Sequence, residues 1–453
     1  MQTLETLVER ARDIVRRGLA FAGDVEVRIV RTDAYGYEVK NRELAPQMSL
    51  GRVEVGLRAL TPKGLAIAAT TTLDLDENEA ALRAALPAAR PSPLERFGAT
   101  QVEPTTRWHD ATWEPWITQP EKLRDLAAAL RDRAFAEGSG RLDSLEGGVS
   151  LSTTWTVLAS RDGLAAFKRT TGDAAAFVNA CHYQLAHLDR APDESGLESI
   201  RDLGRRTLSE IPDRVVAPAD LGVRGKVTAI LHPRLVESLL RVVGQEKFLG
   251  SSLRTGLTEI EPGRRIFHPS ITLVDTGTDE GLSCARPCDD ELSPTGSTPL
   301  VEEGVAKGLV WSRRSAAEAG RETTGNGYRR PMLVEDESEA PVRDTLSGLV
   351  MAPGEISREA LFEGVDRGVY LLACLGLHGA DRARAAFTAS VFDGFAIEDG
   401  RITALLAPGR WNVSGRILDG EGEQGVFSEV TLSQETHVGP RARLPWIRTT
   451  VTV

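Results

Sequence analysis

The sequence predicts an α+β protein of two domains. Amphipathic helical segments alternate with strand-like segments over its first part, and the remainder consists mostly of short β-like segments separated by glycine. A polar stretch containing proline, at about residues 210–225, separates the two parts. We therefore expect an N-terminal domain at residues 1–220, with helices packed on an antiparallel sheet, and a glycine-rich, mostly β domain at residues 221–453.

The N-terminal domain begins with a predicted amphipathic helix at residues 3–17, which Thr3 can cap and Gly18 can end. Strands are predicted at residues 25–30, 35–39, 53–60 and 64–72. A Thr-Pro-Lys-Gly turn joins the last two of these strands into an antiparallel hairpin. An alanine-rich helix is expected at residues 76–85.

Six prolines between positions 87 and 120 predict a largely irregular crossing segment. A third helix follows at residues 120–136. Three strands then form a predicted meander, with turns at residues 160–163 and 171–173, and occupy residues 148–158, 164–171 and 174–185. A polar helix near residues 197–209 completes the domain.

The C-terminal domain opens with a strand at residues 225–231 that feeds a helix at residues 231–245. Apolar residues recur along this helix at the spacing of a buried stripe: Leu235, Val236, Leu239, Leu240 and Val243. The later β segments are predicted at residues 271–275, 305–311, 345–351, 369–375, 385–395, 401–406 and 446–453.

Composition excludes several classes of protein. A net charge of −11 with no run of like charges argues against a nucleic-acid surface, because phosphate binding needs concentrated lysine and arginine. The N-terminus does not have the pattern of a signal peptide, and no apolar run reaches the roughly 20 residues of a membrane helix. Four cysteines are too few for a disulfide framework. We expect a cytoplasmic protein without a membrane partner.

Two segments are candidates for chemistry. In the loop at residues 323–329, Gly325 permits positive φ and Asn326 can donate to a peptide carbonyl. With Thr324 and Arg329, these residues form either a peptide groove or interface, or only a tight turn. His268, Cys284 and Cys288 offer a nitrogen and two sulfurs to a metal, and the alternative is that the two cysteines are reduced, partly buried thiols.

A series of landmarks resembles one known family. Residues 289–291 read Asp-Asp-Glu, residues 298–305 read Thr-Pro-Leu-Val-Glu-Glu-Gly-Val, and residues 323–329 read Thr-Thr-Gly-Asn-Gly-Tyr-Arg. Gly-Leu-Val-Met-Ala-Pro-Gly follows at residues 348–354, and Ile-Glu-Asp-Gly-Arg-Ile at residues 397–402. In order and spacing, these segments resemble the TldD/TldE (TldD/PmbA) metallopeptidases over roughly residues 220–450, with a looser match in the N-terminal half.

The resemblance implies a heterodimeric peptidase in which the TldD subunit binds zinc through His-Glu-x-x-x-His on one helix. Aligned on Val243 and Gly244, this chain has Leu240, Arg241 and Gln245 at those three positions. Leucine cannot bind a metal, arginine cannot act as a base, and a glutamine amide is a poor zinc ligand. The family's third ligand, a cysteine near the C-terminus, has no counterpart in residues 421–439.

The resemblance therefore predicts a non-catalytic TldE-like subunit with no cofactor of its own. Zinc is expected in a TldD-like partner, and the substrate is expected to be an unfolded peptide, as in leader removal from a ribosomally synthesised peptide. A second hypothesis is a stand-alone peptide- or protein-binding regulatory protein without peptidase activity. A third is an enzyme with an unrecognised site around Cys284 and Cys288.

Overall fold

The computed structural model describes residues 3–138, 140–188, 192–258, 260–329, 337–338, 340–419 and 424–453. Within them, no helix is long and apolar enough to cross a membrane. The N-terminal half contains helices α1 (Leu4–Gly18), α2 (Leu75–Ala85), α3 (Glu114–Thr118), α4 (Pro120–Glu137), α5 (Glu194–Arg201) and α6 (Leu203–Ser209). Its strands are β1 (Asp24–Lys40), β2 (Glu43–Thr61), β3 (Gly64–Thr70), β4 (Thr105–Trp108), β5 (Leu145–Ser160), β6 (Leu164–Val178) and β7 (His182–Leu188).

These strands form one sheet in the order β3-β2-β1-β5-β6-β4, with β7 also paired to β6. The α1 helix is capped as predicted, since the Thr3 hydroxyl accepts from the backbone N–H of Thr6 at 3.3 Å. The β2–β3 hairpin is confirmed, with Thr61 opposite Gly64. The two strands predicted at residues 25–30 and 35–39 are one continuous strand, β1, with an irregularity in its pairing to β2 between Thr32 and Ala34.

One predicted turn is wrong. Residues 171–173 do not reverse the chain but continue β6, where Thr171 pairs with Ser152 and Gly172 with Leu151 of β5. The reversal comes later, at Asn179 and Ala180, which both have positive φ. The long register with β5 overrides the local turn preference of the Gly-Asp pair.

The C-terminal half contains helices α7 (Pro218–Leu221), α8 (Pro233–Ser238), α9 (Gly250–Thr255) and α10 (Arg313–Ala319). Its longer strands are β9 (Lys226–Leu231), β16 (Arg367–Leu375), β17 (Ala386–Glu398), β18 (Arg401–Leu406), β20 (Thr431–Val438) and β21 (Ala442–Thr452). The short ones are β8 (Val215–Val216), β10 (Leu273–Thr276), β11 (Ser297–Glu302), β12 (Val305–Ala306), β13 (Gly327–Arg329), β14 (Val342–Asp344), β15 (Leu349–Met351) and β19 (Asn412–Arg416).

Except for the small β13–β14 ribbon, these strands form one sheet in the order β12-β11-β10-β15-β21-β9-β16-β17-β18-β8. β20 pairs with β21, and β19 pairs with both β17 and β21. The pairing therefore runs from β21 through β9, β16, β17 and β19 back to β21. Five strands close into a ring, whose last link is the pair Ser414–Thr452.

Apolar cores fill each half, and a third core joins them. It includes Leu130 of α4 and Val149 of β5 together with Tyr370, Phe395 and Trp446 of the C-terminal sheet. The two halves therefore pack through a shared apolar contact. The division at residues 220 and 221 remains a prediction.

Candidate functional site

The helix predicted at residues 231–245 is shorter and less regular than expected. Its α-helical part is α8, which His232 caps by accepting the backbone N–H of Arg234 on Nδ1 at 3.1 Å. The chain then widens into a π-helical turn at Leu239–Val243 and tightens into a 3-10 turn at Gln245–Phe248. The aligned positions 240 and 241 thus lie on a π turn, a feature that often marks functional positions in helices.

Leu240 lies in the C-terminal core. Its side chain is fully buried, as are those of Val236 and Val243, and Leu235 and Leu239 are nearly so. The predicted apolar stripe is therefore confirmed. The position offers no donor atom to a metal and no space open to solvent.

Arg241 holds distant segments of the chain together. Its Nε donates to Glu237 at 2.9 Å, Nη1 donates to the carbonyl of Leu346 at 2.9 Å, and Nη2 donates to the carbonyls of Ser347 at 3.0 Å and Arg441 at 2.8 Å. The guanidinium thus ties the π turn to the segment before β15 and to the start of β21. It carries donors only and stays charged, so it can neither bind a metal nor take a proton from water.

Gln245 is half-buried and lines an open groove of about 690 Å³ together with Arg241. The groove contains an excess of positive charge: Arg241, Arg254, Arg314, Arg343, Arg382 and Arg441 against Glu246, Glu318 and Asp344. A leucine, a bonded guanidinium and one amide do not fit zinc. The loop expected to lack the third ligand falls partly outside the described residues, at positions 420–423.

The loop at residues 323–329 is engaged within the chain. The Asn326 amide nitrogen donates to Asp275 at 2.6 Å and to the carbonyl of Thr345 at 3.0 Å. Burial raises the pKa of Asp275 to about 6, although the hydrogen bond from Asn326 opposes this rise. Gly325 has φ +73°, and a Cβ there would lie 2.1 Å from the carbonyl oxygen of Pro294, so the position requires glycine.

Arg329 belongs to a buried charge network between the N-terminal sheet and the C-terminal half. Its Nη1 donates to the carbonyl of Ser338 at 2.9 Å, and its Nη2 lies 3.8 Å from Glu26 of β1. Arg58 of β2 contacts Glu26 through two hydrogen bonds and Glu291 through a third. The Asn326 side chain is therefore bonded within the chain, and Arg329 is fully buried with its Nη1 bonded to Ser338. The groove or interface role of this loop remains a prediction, with Thr323 and Thr324 its half-buried members.

The described residues, which include His268, Cys284 and Cys288, contain no group of three or more His, Cys, Asp or Glu side chains able to hold a metal. The Nδ1 atom of His268 lies 2.8 Å from the Ser270 hydroxyl instead. Cys288 is fully buried, and burial raises the pKa of its thiol, so the reactive thiolate is disfavoured.

A second cavity lies where the two halves meet, and no pattern in the sequence indicated it. Its wall includes His182, whose Nδ1 lies 2.9 Å from Asp393 and whose Nε2 lies 3.1 Å from Glu210. Burial alone would lower the pKa of His182, but the hydrogen bonds to the two carboxylates outweigh it and raise the pKa to about 9. With both ring nitrogens bonded to carboxylates, His182 is a charged clamp between the halves and not a general base.

Comparisons with known proteins find a family domain in the C-terminal half of the chain. A family model described as the PmbA/TldA metallopeptidase C-terminal domain matches residues 224–420. A metalloprotease of Methanocaldococcus jannaschii is 28% identical over 228 residues, which are 49% of this chain and 48% of that protein. A metalloprotease of Methanothermobacter thermautotrophicus is 29% identical over 242 residues, 52% of this chain and 50% of that protein. The chain thus aligns with about half the length of these two relatives.

Solved structures share the fold over nearly the whole chain. TldE from Thermococcus kodakarensis has a TM-score of 0.79 at 18% identity and covers 98% of this chain and 99% of its own. A protein from Thermotoga maritima described as a candidate modulator of DNA gyrase has a TM-score of 0.76 at 19% identity, with coverage of 97% and 99%. The chain therefore carries a PmbA/TldA metallopeptidase C-terminal domain at residues 224–420, and over nearly its whole length it shares the fold of these solved structures.

Proposed function

We propose that this chain is the non-catalytic, TldE-like subunit of a heterodimeric zinc metallopeptidase. The observation that carries the proposal is the bonding of Arg241, which lies where the resemblance expects the catalytic glutamate and donates to three carbonyls and one carboxylate. A metallopeptidase needs a base and metal ligands at these positions. The side chains present supply neither, so the zinc chemistry is assigned to a TldD-like partner.

In this proposal, the chain forms one wall of the chamber in which a peptide is cut. The groove beside Arg241 and Gln245 is open and rich in guanidinium groups. Such donors suit an extended peptide, whose backbone carbonyls have no partner in the unfolded state. Unfolded peptides in the cytoplasm are the proposed substrate class, including precursors whose leader is removed during maturation.

The test is reconstitution with a TldD-type partner that carries His-Glu-x-x-x-His. We expect the two chains to co-elute as a complex that cleaves an unfolded peptide, and we expect neither chain alone to do so. Metal analysis of the separated chains should find zinc in the partner. Two matched variants locate the chemistry. Changing the motif glutamate of the partner to glutamine should abolish cleavage, whereas Arg241→Lys in this chain should leave it measurable wherever the complex still forms.

Zinc-dependent cleavage by the purified chain alone would overturn the proposal. Peptide binding by a chain that forms no complex with such a partner would instead favour the stand-alone binding protein.

A further inference from the structure

The second cavity, which we call the junction cavity, has a volume of about 780 Å³ and opens between the two halves. Its floor is aromatic, formed by Tyr370 of β16, Phe395 of β17 and Trp446 of β21. Leu185 of β7 and Ile402 of β18 line it as well, and both are exposed to an extent unusual for large apolar side chains. A cavity of this size with apolar walls and a few polar groups is typical of sites for small organic groups.

The polar groups that face the junction cavity are mostly hydrogen-bond donors. His232 accepts the backbone N–H of Arg234 on Nδ1, so its proton lies on Nε2 and can be donated. Burial, with the nearby charge of Arg234, lowers the pKa of His232 to about 2 and keeps the ring neutral. His437 lies against it, with the two ring centres 5.2 Å apart, and burial also lowers the pKa of His437.

Two arginines add charge and further donors. Arg234 lies over the Tyr183 ring and donates to the Tyr183 carbonyl, but its Nε is buried without a partner among the described residues. The Arg358 guanidinium lies 4.8 Å from the centre of the Trp446 ring. No hydrogen bond joins that guanidinium to another described residue.

The carboxylate of the cavity wall, in contrast, is already engaged. Glu210 is the acidic residue among those that line it, and its two oxygens accept from His182 and Gln184. Arg358 and His232 thus have unused donors at the cavity, as does the Nε of Arg234, whose Nη2 lies 3.9 Å from Asp393. An occupant that satisfies them must bring its own acceptor, and a carboxylate matches the fork geometry of guanidinium groups.

We propose that the junction cavity binds a carboxylate attached to a bulky apolar group, the chemistry of a peptide's C-terminal residue with an aromatic or large aliphatic side chain. Arg358 and Arg234 bind the carboxylate, the Nε2–H of His232 donates to it, and the side chain packs on Trp446, Tyr370 and Phe395. The proposal goes beyond the function proposed above, because binding here needs no partner subunit and no zinc.

The experiment is calorimetric titration of the isolated full chain with two peptides that differ in one group, Gly-Gly-Gly-Phe as the free acid and as the C-terminal amide. We expect the free acid to bind at least about tenfold more tightly, because the amide cannot form the charge-assisted bonds. This comparison uses the unaltered protein and therefore does not depend on the folding of a variant.

Two variants locate the site. Arg358→Gln should weaken binding of the free acid by about tenfold and leave the amide unaffected. Arg401→Gln, at an exposed arginine next to Ile402 that does not line the cavity, is the matched control and should leave both affinities unchanged.

Equal affinity for acid and amide, or an equal effect of the two substitutions, would overturn the proposal. N-acetylphenylalanine distinguishes the sources of the ligand. If it binds as tightly as the tetrapeptide acid, the site is assigned to small free acids. If it binds more weakly, the site is assigned to peptide ends. Both of these results support a carboxylate site.

Discussion

The charge of His182 should make the stability of the protein depend on pH in a defined way. His182, the first residue of β7, is fully buried between Asp393 of β17 and Glu210 after α6, and Arg234 of α8 lies 3.9 Å from the same aspartate. Its pKa is raised to about 9 in the folded protein, against about 6.5 in an unfolded chain. At about 1.4 kcal/mol per pH unit, this difference corresponds to about 3 kcal/mol of stability.

The sign follows from the direction of the shift. The stabilisation is fully present below about pH 6.5, where the imidazole is charged in both states. It is lost as the pH rises through about 9, because the folded protein then loses the proton that both carboxylates require. We expect the two halves to separate more readily at alkaline pH.

The assay is denaturant unfolding of the wild-type protein and of His182→Gln at about pH 6 and about pH 9.5. Other titrating groups are common to both proteins, so they cancel in the difference between the two free energies of unfolding. That difference should shrink by about 3 kcal/mol between the two pH values. A difference that stays constant, or one that grows with pH, would refute the assignment of a charged clamp.

Three other substitutions test the packing described above, each by denaturant unfolding at neutral pH. Leu240→Ala should lower the free energy of unfolding by about 3 kcal/mol, because it leaves a cavity in the core. Leu253→Ala, at an exposed position, should lower it by less than about 1 kcal/mol. Similar losses would contradict the buried placement of Leu240. Arg241→Lys should cost about 2 kcal/mol, since an ammonium group cannot reach all four oxygens, and an unchanged stability would show that these bonds contribute little. Gly56→Ala should lower the free energy of unfolding by about 2 kcal/mol, because the new Cβ would lie 1.9 Å from a buried guanidinium nitrogen. Gly296→Ala, where no atom lies within 4 Å of the new Cβ, should change it by less than about 0.5 kcal/mol. Equal effects would argue against the buried charge network.

Local patterns in the sequence predicted the elements that depend on nearby residues. The stripe from Leu235 to Val243, the Thr3 cap and the β2–β3 hairpin each arise from contacts within a few residues, so periodicity and turn chemistry suffice to find them. The turn predicted at residues 171–173 was wrong, because pairing with β5 along the whole strand outweighs the local turn preference of Gly172 and Asp173.

The sites depend on contacts between distant residues, which a single sequence does not reveal. Cys181 lies in the turn before β7 and His182 begins that strand, and both side chains are buried. The partner of His182, Asp393, follows 211 residues later. Likewise, the carbonyls that hold Arg241 come from residues 346, 347 and 441, so the sequence shows the missing ligands but not what replaces them.

The contacts of Leu240 and Arg241 bear on how the departure from His-Glu-x-x-x-His is interpreted. If the site had merely lost its ligands, the side chains there would be free to vary, and the groove would contain a guanidinium without a structural role. Arg241 instead joins the π turn to the segments that lead into β15 and β21, and Leu240 fills the core beside it. Restoring a glutamate at position 241 would place a carboxylate against three backbone carbonyls, where acceptor would face acceptor. We therefore expect position 241 to tolerate a glutamate poorly, and this physical argument supports the proposal that the chemistry belongs to a second subunit.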